Sequence, residues 1–179
     1  MNGFKIFVDI SGVIICIVLF LLYRSNYITK YIWVLFWVGF SLGLIWEIPL
    51  CLIPAPFPPA LSTFSIMISA SFWDGGFFLL GYLFVILICK EPYFDKVNIR
   101  ELSVLLIYSQ ICSLIVEMLA IAGGGWEYPV TPWNPLLFKF LGGNITLGPQ
   151  LIWFIAPIAF YFIALKLKPR FVELENKEL

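Results

Sequence analysis

Histidine is absent from all 179 residues, and that absence removes a wide class of chemistry. Nucleophile–imidazole pairs, zinc held by imidazole and haem with a histidine axial ligand all need a ring nitrogen that the chain does not supply. Charge is scarce as well. Only 12% of residues are charged and 61% are hydrophobic, whereas a soluble domain carries roughly a quarter charged residues. So little polar surface cannot cover a water-exposed globule. Net charge is zero and the basic residues form no run or patch, so the electrostatic footprint of a nucleic-acid partner is missing. The four cysteines (Cys16, Cys51, Cys89 and Cys112) stand singly in apolar runs without C-x-x-C spacing, and read as small apolar filler. Neither a metal site nor a cofactor is expected.

What is present in quantity is long apolar sequence. A spanning helix needs about 20 mostly apolar residues, and segments 6–23, 31–53, 64–89, 102–122 and 147–166 qualify. The expected fold is all-α, a polytopic transmembrane bundle of five helices in one domain over residues 1–168. A short charged cytoplasmic tail follows over 169–179. The first segment carries Asp9 and lacks an A-x-A-like cleavage site, so it reads as an uncleaved span rather than a secretory signal. Arg24, Lys30, Lys90, Lys96, Arg100, Lys166, Lys168, Arg170 and Lys177 fall on one side of such a bundle, and only Lys5 and Lys139 on the other. The positive-inside rule then predicts an external N-terminus and a cytoplasmic C-terminus, an integral multi-pass membrane protein.

Orientation assigns depth at about 1.5 Å per residue. Asp9 falls at the outer mouth of the first helix, Glu47 in the outer third of the second, Asp74 about ten residues into the third, and Glu117 near the outer end of the fourth. The buried acids are thus all expected in the outer half, and the inner half of the spans reads as almost wholly apolar, with Tyr108, Ser109 and Gln110 the main exceptions. No Lys or Arg in these spans neutralises them. A charged acid in mid-membrane costs on the order of 3 kcal/mol and faces the bundle interior or a wet cavity. Leaving water also disfavours the charged form of a carboxyl. Glu47, Asp74 and Glu117 are therefore candidate catalytic residues, against the alternative that each only hydrogen-bonds a neighbouring helix.

Helical spacing supports their convergence. Gln110, Ser113 and Glu117 form one stripe, Ser71, Asp74 and Phe78 another, and Gln150, Trp153, Phe154, Pro157 and Tyr161 a third. Two outer loops cover this end. Residues 49–59 hold five prolines, so the second helix should kink or finish soon after Glu47. Residues 123–146 form the longest connection. Its aromatics argue for a re-entrant or lid-like cover, with Leu136–Phe140 a candidate short interfacial helix. Helices two and three also repeat the pattern of four and five: an acid near the end of an outward helix, then a polar residue on the inward one (Asp74; Gln150).

The run Glu117-Met118, Gly124-Gly125-Trp126-Glu127-Tyr128-Pro129 and residues 143–154 resembles the lycopene cyclase domain family. The Trp46-Glu47 pair, with Asp74 one helix later, is similar to the integral-membrane terpene cyclases of meroterpenoid pathways. These resemblances cover about 40 and 30 residues. They imply a cyclase or isomerase acting on an isoprenoid-like lipid, with the proton donor among Glu117, Glu47 and Asp74. The chain departs from the carotenoid family where Gln150 and Leu151 stand in place of a glutamate pair. Protonating an alkene needs a desolvated acid, and the resulting cation needs π faces. Trp46, Trp73, Trp126, Gln150, Trp153 and Phe154 are the expected substrate-binding residues, and membrane lipids and a hydrophobic small molecule the expected partners. A lipid- or cation-binding carrier or transporter component is the competing expectation. A structural subunit held by its acids is the third.

Overall fold

A computed structural model describes residues 3–52 and 64–175. Five helices account for most of it: α1 Gly3–Arg24, α2 Lys30–Leu52, α3 Phe64–Ile88, α4 Ile99–Ala122 and α5 Leu147–Glu175. All five are long and apolar enough to cross a membrane, and they fall within a few residues of the segments read from the sequence. Pro54, Pro56, Pro58 and Pro59 of the first proline-rich loop lie outside the described residues, as does the end of the tail beyond residue 175.

Helix α3 is the hub and packs against α1, α2 and α4, while α5 rests on α4 and α2. The α2–α3 contact depends on Gly39 and Gly43, spaced four apart so that both face α3. A β-carbon at Gly39 would sit 3.0 Å from the Gly75 α-carbon, and one at Gly43 would sit 2.6 Å from Asp74 Oδ2. Two backbones and a carboxyl share that space because the side chains are missing. Below it, the Phe78 ring stacks on Trp153 at 5.8 Å and on Phe160 at 4.9 Å, tying α3 to α5.

Pro49, Pro157 and Pro169 lie inside helices, and the structure shows how they are accommodated. Pro49 falls in the last turn of α2, and the helix continues to Leu52. Pro157 falls inside α5, where its missing N–H leaves the Trp153 carbonyl without its helical donor. Ser109 Oγ of α4 donates to that carbonyl at 2.8 Å, the kind of repair by a neighbouring helix that keeps proline tolerable in apolar surroundings. Gln110 Nε2 donates to the Gln150 carbonyl at 3.1 Å, so the polar residues of α4 fasten it to α5. Past Pro169 the chain remains helical to Glu175 and does not loosen there.

The α4–α5 connection differs from expectation. Leu136–Phe140 is not an interfacial helix but strand β1, paired antiparallel with β2, Gly143–Thr146. The turn between them is two residues long, Leu141 at φ 48° and Gly142 at φ 88°. Positive φ at both positions matches the twist of a two-residue hairpin, and it brings Phe140 opposite Gly143. A helix through 136–140 would have left no geometry for that reversal. The hairpin caps the end of the bundle where α1, α3 and α5 begin and α2 and α4 end.

The opposite end holds a buried acid, contrary to the expectation that all lie near the outer loops. Helix α4 starts at Ile99, three residues earlier than the apolar segment, because Asn98 caps it by accepting from the Arg100 N–H at 3.0 Å. Glu101 is therefore inside the helix and 0% exposed. Its two carboxyl oxygens accept from the Phe94 N–H at 3.2 and 3.3 Å, and Tyr161 donates its hydroxyl at 3.1 Å. Tyr161 in turn accepts from the Asn98 N–H at 2.8 Å. Phe94, also fully buried, holds φ 49°, a conformation a bulky residue adopts only when its surroundings enforce it. With Tyr82 stacked on Phe94 at 4.7 Å and Lys168 donating to the Tyr93 carbonyl, the α3–α4 connection plugs this end.

Candidate functional site

The three candidate acids converge. Glu47 near the end of α2, Asp74 in the first half of α3 and Glu117 near the end of α4 all line one cavity of about 150 Å³. Its wall also includes Trp46, Trp73, Trp126 and Trp153, with Phe4 and Phe7 of α1 on the remaining side. All five helices contribute, and the α4–α5 connection supplies the roof. No Lys or Arg is among the lining residues. Lys5 of α1, one residue from Phe4, is engaged elsewhere: its ammonium pairs with Asp9 at 3.1 Å and donates to Ser65 Oγ at 3.0 Å.

Each acid is held differently. Glu117 Oε1 accepts from Gln150 Nε2 at 2.7 Å, and the Thr146 backbone N–H also donates to this carboxyl. Gln150 is thus a second-layer support for an acid rather than a wall of the cavity. Asp74 is 6% exposed, and its Oδ2 has no hydrogen-bond partner among the described residues where it rests against Gly43. Glu47 is half-buried and lies within electrostatic reach of Asp74. Glu47 and Asp74 thus come near one another across α2–α3, and Glu117 and Gln150 meet across α4–α5. Ser113, 1% exposed and on the cavity wall, keeps an unpartnered Oγ, and so does the buried Trp126 Nε1.

Phe154 stands apart from the other candidates. It is not among the lining residues, and its ring is 45% exposed. The stripe read along α5 holds at Gln150, Trp153, Pro157 and Tyr161, but one residue beyond Trp153 is a rotation of about 100°. That turn puts Phe154 on the outer face with Leu151 and Ile155.

Tyr128 was not anticipated. It lines the cavity from the α4–α5 connection. Burial, and then the negative charges of Glu47, Glu117 and Asp74, push its phenol well above the ordinary tyrosine range. One phenol thus lies within electrostatic reach of all three carboxyls. The only sequence signal was its place beside Trp126 in a glycine-led loop. Glu127, next to it, accepts from the Asn144 N–H at 3.0 Å and from the Asn144 amide, and Asn134 Oδ1 accepts from the Gly148 N–H at 2.6 Å. Edge-on packing of Trp126 against Phe4 at 5.3 Å seats the roof on α1.

The chain matches no protein-family model, no curated protein and no solved structure.

Proposed function

We propose that this chain is an integral membrane enzyme that performs acid–base chemistry on an isoprenoid-like lipid, either cyclisation or double-bond isomerisation. The observation that carries the reading is the convergence of Glu47, Asp74 and Glu117 with four tryptophans on one cavity. A carboxyl of the Glu47–Asp74 pair donates a proton to an alkene carbon, so a C–H bond forms as the π bond breaks. The cation on the neighbouring carbon rests against indole faces. In a cyclisation a second π bond first attacks this cation and a C–C bond forms. In either case the cation then loses a proton from an adjacent carbon to a carboxylate, with Glu117 oriented for this by Gln150. A new double bond forms, and the proton returns to the Glu47–Asp74 pair. The product is an isomer of the substrate, with no oxidant or reductant consumed. The resemblance to lycopene cyclase domain proteins and membrane terpene cyclases agrees with this chemistry.

The competing carrier reading shares the cavity but needs a path to the other face. The plug of Phe94, Glu101 and Tyr161 argues against one.

The test is expression in cells supplied with lycopene, squalene or farnesylated precursors, with lipid extracts profiled by mass spectrometry. The expected result is a new isomer of one precursor that disappears in a Glu47→Gln, Asp74→Asn, Glu117→Gln variant. An unchanged profile with the native chain on all three precursor classes sinks the enzyme reading.

Topology belongs to the same proposal. Arg24, Lys30, Lys90, Lys96, Arg100, Lys166, Lys168 and Arg170 gather at the plugged end, which is placed at the cytoplasm; the cavity then opens in the outer leaflet. An epitope on the N-terminus should be accessible in intact cells and one on the C-terminus only after permeabilisation. The reverse pattern refutes this orientation.

A further inference from the structure

With one carboxyl of the Glu47–Asp74 pair protonated, the apolar cavity still holds carboxylate charge, and the proposed reaction leaves open what balances it. Among the described residues no basic side chain lines the cavity, and Lys5 is committed to Asp9. Asp74 Oδ2, against Gly43, and Ser113 Oγ are both buried in residues of the wall, and neither has a hydrogen-bond partner among the described residues. Buried polar groups are ordinarily satisfied, and each exception calls for an account. An unpaired carboxyl oxygen and an unpaired hydroxyl, which can accept as well as donate, are accounted for together by one occupant that carries a donor or a positive charge.

The kind of cation can be narrowed. Among the described residues, no group of three acids or cysteines converges closely enough to hold a metal ion. The remaining lining is mostly aromatic and aliphatic, with Trp46 and Trp73 each adjacent in sequence to an acid of the site. Indole faces attract a positive centre most when water is excluded, and the apolar wall suits a hydrocarbon body.

We infer that the cavity binds lipophilic ammonium compounds, with the nitrogen between Glu47, Asp74 and Ser113 and the hydrocarbon part against the tryptophans. This rests on the same cavity as the proposed reaction but not on turnover.

The test compares two probes of the same shape, 1-hexylpiperidine, protonated at neutral pH, and hexylcyclohexane, in which carbon replaces nitrogen. The full-length protein in lipid nanodiscs is titrated with each by calorimetry, and partitioning into empty nanodiscs is subtracted. The piperidinium should bind saturably, at least about tenfold more tightly than its carbon isostere, and the Glu47→Gln, Asp74→Asn double variant should lose that preference. Equal affinities on the native protein overturn the inference without any variant, so a folding defect in the double variant cannot rescue it. A preference that survives in the double variant, folded by its melting curve, also overturns it. A positive result beside an unchanged lipid profile would retain the cation site and discard the enzyme reading. A new isomer beside equal probe affinities would do the reverse.

Discussion

Asp74→Asn is expected to lower turnover by about 10²- to 10⁴-fold, the range ascribed to a positioned acid or base, without destabilising the protein. The two halves of this expectation come from the same observation. Asp74 Oδ2 makes no hydrogen bond and lies against the bare α-carbon of Gly43, so exchanging it for an amide forfeits no bond at that atom. A carboxyl kept in an apolar cavity without a partner is instead a group whose replacement commonly raises stability at the expense of activity. Initial rates from isomer formation, set beside a thermal melt in detergent, check both. Retention of more than about a tenth of native turnover would remove Asp74 from the chemistry. A fall in Tm of more than about 5 °C, corresponding to roughly 1 kcal/mol or more, would show that it holds the helices together instead.

The opposite outcome is expected for the other deeply buried acid. Glu101→Ala should cost about 2 kcal/mol of stability, because it strands the Phe94 N–H in a place water does not reach, at about 1–3 kcal/mol for an unsatisfied buried group, while the Tyr161 hydroxyl keeps the Asn98 and Lys96 carbonyls at 3.3 and 3.4 Å as acceptors. It also removes the acceptor that helps hold Phe94 at its positive φ. Glu101→Gln keeps an acceptor oxygen and should lose about 1 kcal/mol. Turnover per folded molecule should be unchanged in both, since Glu101 does not line the cavity. Denaturant titration in mixed micelles and activity normalised to folded protein measure the two quantities. A Glu101→Ala variant as stable as the native chain would mean that the plug is held by its aromatic packing alone.

Comparing the two acids shows what sequence reading reaches. Both are carboxyls in helices with no basic partner, yet only Asp74 stood out, because it interrupts a long apolar run. Glu101 sits at the polar start of its segment, three residues after Asn98, a spacing that marks helix starts, and nothing in the sequence sets it apart. What made it a buried anchor is Tyr161, 60 positions away in sequence. Tyr128 escaped notice for a related reason: a tyrosine in a loop carries no periodicity, and only the closing of the α4–α5 connection over the bundle brings it against three acids. Phe154 erred the other way. Its spacing from Gln150 was compatible with one face, but the buried sector of α5 is narrower than the stripe allowed.

The amino-acid sequence alone determined the five helices and their approximate ends, since about twenty consecutive apolar residues leave the backbone few ways to satisfy its own hydrogen bonds without water. It also determined which chemistry was out of reach, through the missing histidine, and that Glu47, Asp74 and Glu117 belong to one end of the bundle, because depth along a helix is a simple count. Tertiary structure decided the rest. Rotation about each helix axis, the close approach permitted by Gly39 and Gly43, and the β-hairpin that closes the roof are set by contacts between residues far apart in the chain. Those contacts turn three acids at similar depth into three acids around one cavity, and convert a fourth, Glu101, from a boundary residue into part of the plug.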